Sequence, residues 1–128
     1  MKIWFVDDDD EMGQAIGLML GLLDHEMRRF NNPRIAAKSL SQGEKPDLLL
    51  LDINMPEVNG IDLLEFIRRH PEWKKLPILM ISSEATDQQI DECLELGADG
   101  LIGKPVTLDE LESAIDYVQR KYNLLAQE

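Results

Sequence analysis

The chain has 128 residues, of which 44% are hydrophobic and 30% charged, a composition ordinary for one globular domain with its own core. Its net charge of −12 argues against direct binding to nucleic acid or to an anionic membrane, because both attract basic patches. No apolar run approaches the roughly 20 residues of a membrane span, and we expect no signal peptide, because the first residues lead straight into a strand-like run. The single cysteine, Cys93, cannot form an internal disulfide, and we expect a cytoplasmic protein.

The first apolar run, residues 3–6, predicts a strand. A helix is predicted to follow from Glu11, with an aspartate of the intervening acidic run as its cap. Its apolar stripe falls at helical spacing on Met12, Ala15, Ile16, Met19, Leu22 and Leu23. The charged run Glu26–Phe30 then predicts a second strand near an edge of the sheet, which Asn31-Asn32-Pro33 ends.

The middle of the chain continues this alternation. A short helix through Ala36, Ala37 and Leu40 is predicted to end near Gly43. Residues 48–51 are apolar without interruption, as in a strand that is covered on both faces. Pro56 and Gly60 bracket a loop. The next helical stripe, which His70-Pro71 ends, consists of Ile61, Leu63, Leu64, Phe66 and Ile67.

The last third of the chain holds two more strands, each followed by a helix. Residues 78–81 predict a strand, and Thr86 with Gln89 forms a capping-box pattern that opens the next helix. The stripe of that helix is Ile90, Cys93 and Leu94, with Cys93 half-buried and Gly97 as the stop. Residues 101–102 form the core of the last strand. The final helix opens with a second capping box, Thr107 with Glu110, has Arg120 and Lys121 in its last turn, and buries Leu108, Leu111, Ile115, Val118 and Tyr122.

Five strands alternating with five helices predict an α/β fold, a doubly wound parallel sheet with helices on both faces. The common strand order for such a flavodoxin-like sheet is 2-1-3-4-5. We expect one domain over residues 1–122, followed at residues 123–128 by a frayed tail or the start of a linker.

Four separated pieces of charged or polar sequence follow the ends of predicted strands. They are the acidic pair Asp7 and Asp8, then Asp52, Ser82 and Lys104. Since ligands bind beyond the carboxyl ends of the strands in a doubly wound sheet, we expect these pieces in one crevice. Clustered carboxylates favour Mg²⁺, and a carboxylate can accept a phosphoryl group as an aspartyl phosphate. An ammonium and a hydroxyl can then bind the phosphoryl oxygens.

Each piece also has an ordinary explanation. Asp9 and Asp10 suit a helix cap and a surface, a strand-end aspartate often serves a turn, and a lysine is usually solvated. On chemistry alone, Ser83 is as good a candidate as Ser82. An EF-hand loop across the acidic run is excluded, because methionines stand at two of its ligand positions. Neither glycine-rich phosphate-binding motif is present, so no nucleotide or flavin site is indicated.

At these residues the chain resembles the receiver domain of response regulators, the CheY-like phosphoacceptor module of two-component signalling. The resemblance covers residues 2–122. It rests on the segments IWFVDD, PDLLLLDINMPEVNG, LPILMISSEA and LGADGLIGKP together with the final helix. The combination of segments is highly specific, whereas any one of them would be weak.

The resemblance implies a role for each piece. Asp52 matches the phosphorylated aspartate, and Lys104, before a cis bond to Pro105, matches the lysine that pairs with the phosphoryl group. Ser82 rather than Ser83 matches the switch hydroxyl. The implied ligands of Mg²⁺, for which Mn²⁺ can substitute, are Asp8 directly, Asp7 through water, Asp52 and the backbone carbonyl of Asn54. Asn54 and Glu84 match positions that tune the lifetime of the phosphoryl group.

Two departures from the family concern how the signal leaves the site. Leu101 stands where many receivers have a tyrosine or phenylalanine that changes rotamer, and Val106 stands where many have phenylalanine. The resemblance implies a sensor histidine kinase or phosphotransfer protein as the donor. It also implies a downstream protein target at the face of the fourth helix, fifth strand and fifth helix, around Leu101.

The leading hypothesis is therefore a phosphorylation-dependent signalling switch rather than an enzyme with its own substrate. A pseudo-receiver that acts only as an interaction module is the first alternative. A phosphatase of the haloacid dehalogenase type is the second, and it is disfavoured because Asn54 stands where that family needs an acidic proton donor.

Overall fold

The computed structural model of the chain describes residues 1–55 and 59–126. Strands and helices alternate throughout, and a short 3-10 helix, Pro71–Trp73, follows the third α-helix. The strands are β1 (Lys2–Val6), β2 (Glu26–Phe30), β3 (Leu48–Asp52), β4 (Ile78–Ser82) and β5 (Gly100–Gly103). The helices are α1 (Asp10–Leu22), α2 (Pro33–Ser41), α3 (Gly60–Arg69), α4 (Asp87–Glu95) and α5 (Leu108–Ala126).

All strand pairs in the sheet are parallel, and the strand order is β2-β1-β3-β4-β5. The predicted fold class and strand order are confirmed. Because β1, β3, β4 and β5 are parallel and lie next to one another in this order, their carboxyl ends lie side by side at one end of the sheet. The weakly apolar β2 lies at the outer edge, as its charged sequence predicted.

The core consists of two apolar layers, one on each face of the sheet. Alternate residues of β3 supply both layers: Leu49 and Leu51 face α2, α3 and α4, whereas Leu48 and Leu50 face α1 and α5. These four leucines are fully buried, and burial of one such side chain contributes roughly 1.5–3 kcal/mol. The uninterrupted apolar run of β3 therefore reflects a strand that is covered twice.

Side-chain caps begin all five α-helices of the described residues, and Thr107 caps α5 by accepting the N–H of Glu110 at 3.2 Å, as the second capping box predicted. Asp9 caps α1 by accepting the N–H groups of Glu11 and Met12, as predicted for an aspartate of the acidic run. Asn32, Asn59 and Thr86 cap α2, α3 and α4. Each of these bonds satisfies an N–H group that the helix itself leaves free.

The predicted stripe of α1 is wrong at two positions. Ala15 is exposed and Leu22 is 74% exposed, whereas Leu20, outside the predicted stripe, is fully buried. The buried line of this helix runs through Gly13, Ile16 and Leu20, and the last two pack in the core layer beneath α1 and α5. Apolar residues on both flanks of a helix leave its rotation about its own axis undetermined by spacing alone.

Smaller differences occur on three other helices. Leu94 and Leu108 were predicted to be buried but are 46% and 37% exposed, and Phe66 is 39% exposed. Cys93 was predicted to be half-buried, yet it is fully buried in the layer under α4. Burial raises the pKa of its thiol above the ordinary value.

Helix α5 runs to Ala126, so Arg120 and Lys121 do not lie in its last turn, and residues 123–126 continue the helix. Pro56, predicted to open the loop after β3, lies outside the described residues. Gly60, predicted to close that loop, is the first residue of α3. Within residues 1–55 and 59–126, no helix is long and apolar enough to cross a membrane.

Candidate functional site

Three carboxylates meet where β1 and β3 end. Val6 pairs with Leu51 in the sheet, so the residues after them, Asp7 and Asp52, lie side by side. Asp7 is fully buried and Asp52 is 1% exposed, while Asp8 is exposed. One carboxylate oxygen of each aspartate lies within 4.8 Å of the others. The acidic pair and the aspartate of β3 therefore form one cluster, as predicted from topology.

The buried Asp7 carboxylate is only partly compensated. Burial raises the pKa of Asp7, outweighing the N–H of Asp9 and the guanidinium of Arg29, which both lower it, and the Asp52 charge adds to the increase. Oδ1 of Asp7 accepts the backbone N–H of Asp9 at 2.7 Å. Oδ2 of Asp7 makes no directional hydrogen bond with any described residue. An oxygen buried in this state suits a cation.

Lys104 supplies a positive charge from the other side of the cluster. Ser82 pairs with Gly103 across β4 and β5, and the N–H of Lys104 donates to the carbonyl of Ser82 at 2.9 Å. The Nζ atom of Lys104 then lies 3.0 Å from Oδ1 of Asp52. The peptide bond from Lys104 to Pro105 is cis, as the resemblance implied. Lys104 is thus a paired lysine rather than a solvated surface residue.

The two serines after β4 occupy different environments. Ser82 is fully buried, and its hydroxyl donates to Oε1 of Gln89 in α4 and accepts the N–H of Glu84 at 3.0 Å. Ser83 is exposed and donates through its N–H to Oδ1 of Asn54 at 2.9 Å. Of these two serines, Ser82 is therefore the one that hydrogen-bonds α4.

Close approach of α3 to the end of β3 depends on Gly60. A Cβ atom at this position would lie 2.5 Å from the backbone carbonyl oxygen of Asp52, which is too close for any side chain. The N–H of Asn54 donates to Oδ1 of Asp52 at 2.9 Å, so the backbone folds around the carboxylate. Gly60 therefore lets α3 begin against the Asp52 backbone, and the Asn54 N–H orients the Asp52 carboxylate.

The chain matches the response regulator receiver domain family over residues 3–116. It belongs to this family. Receivers are phosphorylation-dependent switches of two-component signalling, and as a class they take their signal from histidine kinases or phosphotransfer proteins and pass it to downstream targets.

Individual proteins show the same similarity. The receiver is 37% identical over 119 residues to the chemotaxis protein CheY-3 of Vibrio cholerae, covering 92% of this chain and 91% of that protein. It is 33% identical to the chemotaxis protein CheY of Pseudomonas aeruginosa, covering 96% and 99% of the two chains. A solved structure of CheY4 from Vibrio cholerae is similar with a TM-score of 0.81 at 28% identity, over 91% of this chain and 97% of that one.

Sequence reasoning missed two residues of the receiver site. Gln89 was read as half of a capping box, and its N–H does donate to Thr86 at 3.2 Å, but its side chain binds Ser82 instead. Arg29 was read as one more charge of an edge strand, yet it contacts Asp7 and Asp10. The adjacency of β2 and β1 was the available signal, because it places a β2 side chain beside the acidic run.

Proposed function

We propose that this receiver accepts a phosphoryl group on Asp52 and thereby changes a docking surface. The observation that carries this proposal is the setting of Asp52: a carboxylate that is 1% exposed, 3.0 Å from the ammonium of Lys104 and within reach of two further aspartates. The phosphoryl donor is a phosphohistidine of a sensor kinase or phosphotransfer protein.

The donor atoms at the cluster fit Mg²⁺. Carboxylate oxygens from Asp7, Asp8 and Asp52 lie close enough to share one ion, and an oxygen-only donor set is what this hard cation prefers. The buried Oδ2 of Asp7, which lacks a directional hydrogen bond among the described residues, also favours a bound cation. The backbone carbonyl of Asn54 is the proposed fourth ligand, and Mn²⁺ is expected to substitute. The ion supplies positive charge to the oxygens of the transferring phosphoryl group.

The transfer itself needs little from the protein except position and charge. An oxygen of the Asp52 carboxylate attacks phosphorus, the P–N bond to the donor imidazole breaks, and the electron pair of that bond remains on the imidazole nitrogen. The ammonium of Lys104 now pairs with the Asp52 carboxylate, and from this position it can pair with a phosphoryl oxygen instead. Hydrolysis later returns the carboxylate and releases inorganic phosphate.

The alternative function, a phosphatase of the haloacid dehalogenase type, would need an acidic group where Asn54 stands.

We propose that the signal leaves through Ser82 and Gln89. The Ser82 hydroxyl is donated to Gln89, in the first turns of α4, and a phosphoryl group on Asp52 would compete for that proton. When Ser82 turns to the phosphoryl group, Gln89 loses its donor and α4 loses a tether to the sheet. This polar route does not need an aromatic ring at Leu101, which packs against the core under α4.

The proposed docking surface is the face of α4, β5 and α5. A groove of about 340 Å³ lies between β5 and α5 on this face, and its lining includes Leu101 and two acidic residues, Asp109 and Glu110. Val106, at the position where many receivers have phenylalanine, packs against the core layer under α5. We expect a protein partner that presents an apolar side chain flanked by basic residues.

Phosphoryl acceptance can be tested with a small acyl-phosphate donor, with and without Mg²⁺, followed by intact mass. The wild-type receiver should gain one phosphoryl group only when the metal is present. Asp52→Asn should gain none, while Asp62→Asn, a change at an exposed aspartate of α3, should behave like the wild type. Phosphorylation at another residue would overturn the proposal. No phosphorylation under any condition would favour the pseudo-receiver alternative.

A further inference from the structure

Arg29 places a second resident cation on the acidic cluster. Its Nε atom lies 3.3 Å from Oδ2 of the buried Asp7, and its Nη2 donates to the Asp7 backbone carbonyl at 3.2 Å. Its Nη1 pairs with Oδ1 of Asp10 at 2.6 Å. The guanidinium therefore spans the acidic run from Asp7 to the first residue of α1, and its side chain is only 23% exposed.

Arg29 can occupy this position only because residue 13 is a glycine, which has no side chain. A Cβ atom there would lie 2.5 Å from Nε and 2.6 Å from Cδ of Arg29. Gly13 is itself buried, as the fourth residue of α1, although glycine within a helix is less stable than alanine. The helix thus leaves open the space that Arg29 fills.

The charges of the site show what Arg29 does there. Three carboxylates, those of Asp7, Asp8 and Asp52, face two cations, because Lys104 pairs with Asp52 and Arg29 with Asp7. A cation held on one carboxylate lowers the attraction of the cluster for a divalent ion and repels that ion directly. Nε of Arg29 and Oδ2 of Asp7 make no directional hydrogen bond with each other or with another described residue. Their contact is an ion pair that a metal can replace.

We propose that Arg29 is a built-in counter-cation that competes with the divalent metal for Asp7 and so sets a weak metal affinity in the unphosphorylated receiver. This inference rests on the proposed function in one respect, that the carboxylate cluster binds a divalent cation. In this proposal Arg29 acts on metal affinity through Asp7 and takes no part in the phosphoryl transfer.

The test is a direct titration of the unphosphorylated protein with Mn²⁺, in which the free ion is counted by electron paramagnetic resonance and Mg²⁺ is added as competitor. Arg29→Gln should bind Mn²⁺ roughly tenfold more tightly than the wild type, because the competing charge is gone. Arg29→Lys keeps the charge and should remain closer to the wild type. The matched control is Arg28→Gln, since Arg28 is a neighbour on the same strand that pairs with Glu44 at 2.7 Å instead of with the cluster.

Gly13→Ala separates charge from position. The new methyl group displaces Arg29 while the net charge stays unchanged, so Mn²⁺ affinity should again rise. This variant also decides the matter if Arg29→Gln fails to fold. Equal affinities of Arg29→Gln and Arg28→Gln, weaker binding by Arg29→Gln, or no binding by any variant would each overturn the inference. Phosphorylation of the wild type by an acyl phosphate is a separate result, so it can succeed while this inference fails.

Discussion

The ammonium of Lys104 and the carboxylate of Asp52 form an ion pair of 3.0 Å at the end of the sheet, with the Asp52 side chain 1% exposed and the Lys104 side chain 24% exposed. Removing one partner from such a pair leaves the other charge poorly solvated, which costs more than the pair itself contributes. The charge of Lys104 therefore offsets the repulsion between the carboxylate of Asp52 and those of Asp7 and Asp8, which lie beside it.

Lys104→Met should lower the free energy of unfolding by about 1–3 kcal/mol, a range reduced from that of fully buried pairs because Lys104 is partly exposed. Saturating Mg²⁺ should restore most of the loss, because the ion supplies the missing charge. Urea unfolding with and without Mg²⁺ measures both effects. Lys75→Met, at an exposed lysine, is the control, and the idea fails if the two variants lose the same stability.

A double-mutant cycle sharpens this prediction. In the Asp52→Asn background, Lys104→Met should cost little, because the carboxylate that needed compensation is gone. A cost that is the same in both backgrounds would show that Lys104 stabilises the fold through packing alone.

Gln89→Leu should raise the steady-state phosphorylated fraction of the receiver. The substitution removes the acceptor that holds the Ser82 hydroxyl, so the hydroxyl is free to bind the phosphoryl group. One hydrogen bond contributes about 1 kcal/mol, which corresponds to roughly a fivefold change in the ratio of phosphorylated to unphosphorylated receiver. Intact mass after incubation with limiting acyl phosphate gives this ratio.

The neighbouring exposed glutamine provides the control for that experiment. Gln88→Leu changes the same chemistry on α4 without touching Ser82, so it should match the wild type. The effect of Gln89→Leu should vanish when Ser82→Ala is also present. If Gln88→Leu and Gln89→Leu act alike, the proposed route through Ser82 is wrong.

The sheet could be predicted from the sequence because its signal is local. Strand β3 is an unbroken apolar run, and Asp52, Ser82 and Lys104 each follow such a run, so strand order alone brings them together. The rotation of α1 could not be predicted in the same way. Leu20 and Leu22 are equally apolar, and only the packing of α1 on the sheet and α5 buries the first and exposes the second.

The contacts of Arg29 and Gln89 lay beyond sequence reasoning for a different reason. Both residues have long side chains whose direction depends on which neighbour offers room and charge. Arg29 reaches Asp7 only because Gly13 leaves space, and that space is a property of two packed elements rather than of either sequence segment. Backbone topology locates the site, whereas the second layer of contacts around it requires side-chain positions.

Asn54→Arg should lengthen the lifetime of the phosphorylated receiver severalfold. The Asn54 side chain is exposed, and its Oδ1 accepts from Ser83 at 2.9 and 3.2 Å, which places it at the rim of the site. A long cationic side chain there would cover the phosphoryl group and exclude the attacking water. Loss of the phosphoryl group is followed by intact mass after removal of the donor.

The control for Asn54→Arg is Asn123→Arg, which adds the same charge on an exposed part of α5. Glu84→Lys tests the second rim position, because the Glu84 N–H donates to the Ser82 hydroxyl at 3.0 Å while its side chain is exposed. Unchanged dephosphorylation in both rim variants would remove Asn54 and Glu84 from the residues that set the lifetime.

The amino-terminal side of the sheet holds a second buried ionic group, centred on Asp99, which should make stability fall at high pH. The side chain of Asp99 is 2% exposed and accepts the N–H of Ile78 at 2.9 Å. Lys121 contacts it at 2.6 Å, and the Tyr122 hydroxyl donates to it at 2.9 Å. Burial, followed by the charge of Asp99, raises the pKa of Tyr122 to about 12. The folded state therefore holds this proton more tightly than the unfolded chain does.

The sign of the pH effect follows from this difference. The contribution of Tyr122 is fully present below pH 10, where the tyrosine is protonated in both states, and is lost as pH rises from about 10 toward 12. The total loss is roughly 2–3 kcal/mol. Urea unfolding measured from pH 9 to 11.5 should show this decline in the wild type and a shallower one in Tyr122→Phe. The chain has two tyrosines, and Tyr117→Phe, at the exposed one, should keep the wild-type slope. Parallel slopes for Tyr122→Phe and the wild type would exclude Tyr122 as the source.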